Sequence, residues 1–151
     1  MNDAVRDVPI PPDNEVLTAE EVASWLGLHL VYVRSAARSG RIPARRVGKE
    51  WRFLRDAVGA ARGLPGSEDL AAVGWPASAR TPDPPLVLGA TEAADFLRVD
   101  LQTTYHEMAS GRVPAWKEGR EWRTSLGALR EYLAHDPEAD LRYRRLSRDT
   151  G

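Results

Sequence analysis

Cysteine is absent from this chain of 151 residues. A protein without cysteine has no disulfide scaffold, no thiol nucleophile and no thiolate ligand for zinc. The histidines are also few and scattered, at His29, His106 and His135. No metalloprotease motif, phosphate-binding glycine loop or serine-hydrolase motif occurs in the sequence. We therefore expect neither an enzyme nor a bound metal or other cofactor.

Neither sign of charge is in large excess, and long apolar runs are missing. The chain has 21 Lys and Arg against 22 Asp and Glu, a formal net charge of −1. This balance excludes a histone-like protein driven by bulk positive charge, although it leaves a local basic patch open. The apolar runs fall far short of the ~20 residues that cross a bilayer. Residues 1–15 are acidic and broken by proline, unlike a secretory signal, so we expect a cytoplasmic protein with no membrane partner.

The sequence does contain an internal repeat. Residues 16–58 align without a gap on residues 87–129, a shift of 71 residues, and 17 of the 43 aligned positions are identical. Two such copies should share one fold. The 28 residues between them, 59–86, include 4 Gly and 5 Pro, a composition typical of linkers. The predicted organisation is a tail (1–15), a first unit (16–62), a linker (63–86) with a short helix at 68–73, a second unit (87–135) and a second tail (136–151).

The pattern within a unit predicts two helices, a β-hairpin and a third helix. Thr18 and Glu21 form a capping box for the first helix, and Gly27 ends it. A second helix is predicted over about 29–39, with Gly40 as its stop. Strands are predicted at 45–47 and 51–53. The third helix is predicted to begin near 55–56 in the first copy, and Ser125 is the predicted N-cap of the third helix in the second copy. The predicted fold class is α+β, mainly α with small β-hairpin wings, arranged as two tandem winged helix-turn-helix units.

Two stretches of the repeat carry a family resemblance. The first is Leu-Thr-x-Glu-Glu-Val-Ala-x-Trp-Leu-Gly-Leu, and the second is Ser-Gly-Arg-Ile-Pro-Ala-x-x-Val-Gly-x-x-Trp-Arg. Together they resemble the excisionase family and the N-terminal domains of MerR-type regulators, over 16–58 and again over 87–129. The resemblance implies a winged helix-turn-helix DNA binder. It also implies that the second helix enters the major groove and that the wing lies along the phosphates or the minor groove.

These positions give a set of candidate DNA contacts. On the second helices, the residues expected to face the groove are Leu30, Val31, Tyr32 and Ser35, flanked by Arg34 and Arg38, and in the second unit Leu101, Gln102, Thr103 and His106. On the wings, the expected phosphate contacts are Arg45, Arg46, Lys49 and Arg52, and in the second unit Lys117, Arg120 and Arg123, because guanidinium and ammonium groups suit phosphate oxygens. Trp51 and Trp122 are expected to pack the wings onto the helices.

Charge divides the two units unequally and leaves a second interpretation open. Residues 16–58 carry 8 Lys and Arg against 4 acids, whereas residues 87–129 carry 5 against 6. The second unit also has Glu107 on its second helix and Glu118 in its wing. The apolar positions 30–32 suit either thymine methyl groups or a protein surface. The alternative to a DNA reader is therefore an assembly protein, similar to the small packaging subunit of a phage terminase, in which the second unit binds protein.

The expected partner is double-stranded DNA. We therefore expect the chain to be associated with the nucleoid and to self-associate on the DNA. The further partner depends on the role: an integrase for a recombination directionality factor, or the transcription machinery for a small regulator. Two arrangements of the units are open. A flexible 28-residue linker spans about 30 Å, close to the ~34 Å between successive major grooves on one face of DNA. If the units instead pack on each other, their interface fixes the spacing.

Overall fold

The two units have the same order of elements in the computed structural model, which describes residues 12–64 and 86–136. The first unit consists of β1 (Val16–Leu17), α1 (Ala19–Leu26), α2 (Leu30–Ser39), β2 (Arg45–Val47), β3 (Glu50–Leu54) and α3 (Arg55–Ala61). The second consists of β4 (Val87–Gly89), α4 (Ala90–Leu97), α5 (Leu101–Ala109), β5 (Trp116–Glu118), β6 (Glu121–Ser125) and α6 (Leu126–Ala134). The predicted α+β class and tandem winged helix-turn-helix units are confirmed. The helix predicted at 68–73 lies outside the described residues, as do most of both predicted tails.

Local capping explains where the helices begin and end. Thr18 Oγ1 accepts the Glu21 N–H at 3.3 Å, and the Glu21 carboxylate accepts the Thr18 N–H at 2.8 Å, so the predicted capping box is confirmed. Gly27 follows α1 with a φ of 66°, the left-handed conformation that glycine adopts at low cost. In the second unit Ser125 Oγ accepts the Ala128 N–H at 3.1 Å and starts α6 as predicted.

Each wing belongs to a three-stranded sheet rather than to a two-stranded ribbon. The strand orders are β1-β3-β2 and β4-β6-β5, and all pairs are antiparallel. Val16 lies opposite Leu54, and Val87 lies opposite Ser125. The sequence did not predict β1 and β4, because strands of two and three residues are too short to show alternation. Each extra strand ties the wing to the start of the helix-turn-helix.

Two hydrophobic cores hold the structure together. The first unit encloses Leu17, Val33, Ile42 and Phe53, all fully buried. Trp51 packs against this core and Trp122 packs against the second, as expected, and both indoles are half-buried. The second core is built mainly from the second unit but also includes three buried residues of the first: Val16, Val47 and Leu54. Burial of these residues in the neighbour's core means that the units pack on each other.

The packing is head to tail. The wing of the first unit lies against α5 and α6 of the second unit, and the end of α4 lies beside β1 and α1. Arg130 donates to the Glu15 carboxylate, with the longer Nη2–Oε2 distance at 3.1 Å. Of the two arrangements left open by the sequence, the structure has the packed one. The spacing between the units is therefore set by this interface.

Arg98 connects the units from an unusual backbone conformation. Its φ is 59°, and among residues 12–64 and 86–136 it is the only residue other than glycine with a positive φ. Its guanidinium donates to the Val16 carbonyl at 3.1 Å and to the Glu21 carboxylate. Burial raises the pKa of Glu21, but its hydrogen bonds with Thr18 and Arg98 and the charge of Arg98 outweigh burial, so the pKa is lowered overall. These contacts offset the cost of the left-handed conformation.

Candidate nucleic-acid interface

The outer face of α2 presents most of the side chains expected to read bases. Val33, Ala36 and Ala37 face the core, as predicted, which turns the opposite face to solvent. Val31 is 76% exposed and Tyr32 is 38% exposed. Arg34, Ser35 and Arg38 are also exposed on this helix. In contrast to the expectation, Leu30 is half-buried against the first core and is not part of this outer face.

Arginines flank the exposed face of α2. The Arg41 guanidinium lies 5.5 Å from the centre of the Tyr32 ring, a cation–π contact that orients the phenol. Arg34 lies 3.5 Å from the Glu20 carboxylate, and both side chains are about half exposed or more, so this ion pair holds Arg34 only weakly. The face can therefore offer an aromatic ring, a hydroxyl and guanidinium groups to a ligand.

The first wing divides its cations between solvent and the neighbouring unit. Arg46 and Lys49 are exposed. Arg45 stacks on the Tyr132 ring at 4.2 Å, donates to the His135 carbonyl at 3.2 Å and lies 3.7 Å from the Asp136 carboxylate. Burial raises the pKa of the Tyr132 phenol, and the Arg45 charge opposes that rise. Arg45 is thus held in place by residues of the second unit.

Arg52 requires a correction to the expected phosphate contacts. Its residue is only 8% exposed, because the side chain points into the interface between the units. Its Nε donates to the Leu97 carbonyl at 2.9 Å and its Nη2 to the Arg98 carbonyl at 2.7 Å. Burial lowers the pKa of the guanidinium, and the Glu50 carboxylate opposes that effect. Arg52 caps the carbonyl end of α4, and we assign it to the interface between the units.

A cleft with positively charged walls forms where the units meet. It has a volume of about 420 Å³ and is bordered by Arg38, Arg45 and Arg46 of the first unit and by Arg112 of the second. Asp136 is the carboxylate on its border. We call Arg38, Arg46, Lys49 and Arg112 the joint basic surface. Arg112 was missed in the sequence because its neighbours depend on how the units pack. The available signal was its place in the repeated Gly-Arg-x-Pro-Ala string.

Glu107 does not lie on the surface of α5. The residue is 1% exposed, and its Oε1 lies 3.5 Å from an Arg112 Nη1. Its Oε2 has no hydrogen-bond partner among the described residues. This carboxylate therefore adds no exposed negative charge to α5, and it lies next to the largely exposed Arg112 side chain.

The second recognition helix is partly covered by the first wing. Gln102 and His106 are exposed on α5, while Thr103 is half-buried. A Cβ built on Gly48, in the turn of the first wing, would lie 2.6 Å from the Thr103 Cγ2. The wing and α5 border a cleft of about 800 Å³. Because of this contact, α2 and α5 are not equally accessible, although the repeat makes them equivalent in sequence.

The first strand of the second wing is exposed along its whole length. Lys117 and Arg120 are exposed, and the Lys117 Nζ lies 5.6 Å from the centre of the Trp122 ring. Arg123 is half-buried and pairs with the Glu121 carboxylate at 2.6 Å. The exposed Glu118 lies on the same strand as Lys117. Carboxylates of Glu118 and Glu121 thus reduce the positive potential of this wing below that of the first.

The described part of the chain places no group of three histidine, aspartate or glutamate side chains where they could share a metal ion. Over residues 12–64 and 86–136, no helix has both the length and the hydropathy needed to cross a bilayer.

The fold and the exposed α2 face define a protein with two winged helix-turn-helix units. A family model described as a helix-turn-helix domain matches residues 16–60 and again residues 87–136. The two matches together cover more than half of the chain, so this chain belongs to the helix-turn-helix domain family. Membership supports DNA binding. Comparisons with the curated proteins and with the solved structures found no match.

Proposed function

We propose that this chain binds double-stranded DNA in the manner of excisionase and MerR-like domains, with α2 in the major groove. The observation that carries the proposal is the exposed face of α2 beside the joint basic surface, to which both units contribute. An exposed helix with flanking cations suits a groove bounded by phosphates. Phosphate neutralisation supplies most non-specific affinity, and Arg38, Arg46 and Arg112 border the same cleft, where they can act on one stretch of backbone.

Base reading is assigned to the first turns of α2. Val31 offers an apolar side chain that suits the methyl group of thymine, and Ser35 offers a hydroxyl that donates or accepts. Tyr32 combines both properties in one side chain. Arg34 and Arg38 extend from the same face toward the phosphates on either side of the groove. The α2 face is apolar at its centre and cationic at its edges, so it favours sites that contain A·T pairs.

The second unit contributes a smaller contact at a fixed distance. Gln102 and His106 of α5 and Lys117 and Arg120 of the second wing are the proposed contacts, with Thr103 next to the first wing. Gln suits adenine and His suits a phosphate or a base edge. Since the units pack head to tail, their two contacts differ, and the DNA site need not be a palindrome.

Salt-dependent binding tests this proposal with matched double variants. Each phosphate that a cation neutralises contributes about 0.9 to the slope of log affinity against log salt concentration. We expect R38A/R46A to lower that slope by about 2 and to weaken binding similarly on all duplexes. For comparison, K117A/R120A removes two cations of the second wing, the smaller proposed contact, and we expect it to lower the slope by less than R38A/R46A does. Equal slopes for the wild type and R38A/R46A in fluorescence anisotropy titrations would contradict the proposal.

The assembly-protein alternative has an observation of its own. Leu101 is 40% exposed and Tyr105 is 45% exposed on α5. Large apolar side chains on an exposed helix are typical of protein interfaces as well as of DNA contacts. Retention on DNA-cellulose separates the two functions. A DNA binder elutes late and at a salt-dependent position, while an assembly protein that lacks DNA affinity flows through.

Two biological roles follow from DNA binding at the nucleoid. A recombination directionality factor bends its site so that an integrase can act, whereas a small transcriptional regulator blocks or recruits the transcription machinery. Bending costs free energy that depends on the DNA sequence and changes gel mobility with the position of the site. A circular-permutation assay separates the two roles. Bending of the DNA by this chain would support the architectural role, and a duplex that stays straight would support the regulatory role.

A further inference from the structure

One face of the first unit is covered by the second unit, and its repeat counterpart is open. Val16 is 2% exposed and Arg52 is 8% exposed, because the end of α4 and the helix α6 lie against them. Their counterparts at +71 are also Val and Arg, yet Val87 is 55% exposed and the Arg123 side chain is 36% exposed. At these two positions the second unit keeps the residues of the interface but leaves them exposed, whereas Val47 and Leu54, which also enter the neighbour's core, are Glu118 and Ser125 at +71.

The covered face of the first unit binds a specific backbone feature. Arg52 donates to the carbonyls of Leu97 and Arg98, where α4 ends in a left-handed residue with a φ of 59°. The counterpart of this helix end in the first unit is Leu26–Gly27, where α1 ends with a φ of 66°. Gly27 is exposed, and a Cβ built on it meets no atom within 4 Å among residues 12–64 and 86–136, so this helix end is uncovered by the described residues. The chain therefore contains one used and one unused copy of both halves of the interface.

The side chains around the two unused halves are apolar on one side and small on the other. Within the chain Glu15 pairs with Arg130. The repeat counterpart of Glu15 is Leu86, which is 80% exposed, and the repeat counterpart of Arg130 is Gly59. Likewise Arg45 stacks on Tyr132 within the chain. The repeat counterpart of Arg45 is Trp116, which is 42% exposed, and that of Tyr132 is Ala61. Of the two small residues, Ala61 is exposed, whereas Gly59 is buried beside Trp25, so the direct contact would be between Trp116 and Ala61. We call Leu86, Val87, Trp116 and Arg123 the open face.

We propose that a second copy of this chain docks its first unit onto the open face and repeats the head-to-tail packing seen within the chain. Arg123 would donate to the carbonyls of Leu26 and Gly27, as Arg52 does to Leu97 and Arg98. Leu86, Val87 and Trp116 would be covered, which accounts for three large exposed apolar residues on one face of a small unit. Such a contact is heterologous, so each copy keeps one free half and further copies can add.

Mixing two variants tests the direction of this contact. V87D places a carboxylate on the open face, and A61D places one on the exposed end of α3 that the open face would meet. We expect the wild type to exceed 16.7 kDa in sedimentation equilibrium as its concentration rises, and each variant to remain at 16.7 kDa. An equimolar mixture of the two should form a dimer and nothing larger, because A61D retains its open face and V87D retains its first unit.

The control and the contrary results are defined by the same measurement. G127D adds a carboxylate in the first turn of α6, where a Cβ meets no atom within 4 Å in the described part of the chain, and should associate like the wild type. W116E acts on the open face through a second position and should match V87D, with circular dichroism checking that both variants fold. A wild type that stays at 16.7 kDa up to about 1 mM would overturn the proposal. A mixture that stays monomeric would also overturn it. DNA is left out, so the result does not depend on the proposed function.

Discussion

Replacing Gly48 by alanine tests the contact between the first wing and α5. Gly48 has a φ of 65° and its repeat counterpart Gly119 has a φ of 63°, so alanine is strained at both positions. At Gly119 a Cβ meets no atom of the described residues within 4 Å, whereas at Gly48 it lies 2.6 Å from the Thr103 Cγ2. The two substitutions differ mainly in this contact with the other unit. G119A is therefore a matched control for G48A.

The structure sets the size of each effect. A non-glycine residue in the left-handed region costs about 1–2 kcal/mol, and we expect G119A to lower the free energy of unfolding by this amount. Overpacking typically adds about 1–3 kcal/mol, so G48A should lose about 2–5 kcal/mol in total. Thr103→Ser removes the methyl group that the new Cβ would meet. In the T103S background, G48A should cost about as much as G119A does.

Urea unfolding followed by tryptophan fluorescence and circular dichroism measures these differences. The midpoint and slope of the transition give the free energy of unfolding for each variant. The coupling between positions 48 and 103 is the difference between the cost of G48A in the wild type and in T103S. A coupling near zero, with G48A and G119A equally destabilising, would refute the packing of the wing on α5.

Three further perturbations test the interface between the units. R52A should lower stability by about 3 kcal/mol, since two charge-assisted hydrogen bonds across the interface are lost, while R123A should cost under about 1 kcal/mol by thermal or urea unfolding. The pKa of Glu21 is held below its ordinary 4.5, so its contribution to stability is complete above pH 4.5 and is lost as pH falls through the lowered value. E21Q should flatten this acid limb of stability against pH, and an unchanged limb would contradict the ion pair with Arg98. Burial raises the pKa of Tyr132, so tyrosinate absorbance should show a late component above pH 10 that Y132F removes, and its persistence in Y132F would assign it to another tyrosine.

Local features of the fold were predictable from the sequence because their causes lie within a few residues. The Thr18–Glu21 capping box, the stop at Gly27 and the inward set of α2 depend on side chains at fixed spacing along one helix. The hairpin also follows from a glycine turn between two short strands. The 71-residue repeat made each of these features visible twice.

Features that depend on the packing of the units were not predictable. The sequence predicts a solvent-exposed wing with three arginines, Arg45, Arg46 and Arg52. In the structure Arg52 is buried and Arg45 is held by the second unit. The sequence pattern of a wing is the same whether it faces DNA or a neighbouring protein. Arg112 joins Arg46 on one surface only through this packing. An identical residue in the repeat, Arg123, has a different environment for the same reason.

The salt dependence of DNA binding by Arg112 variants tests most directly that both units build one DNA-binding surface. R112Q removes a charge from the second unit and R112K retains it. With a phosphate contact, R112Q should lower the slope of log affinity against log salt by about 1, while R112K should keep the wild-type slope. A wild-type slope for R112Q, with binding lost only when first-unit cations are removed, would contradict a surface shared by the two units.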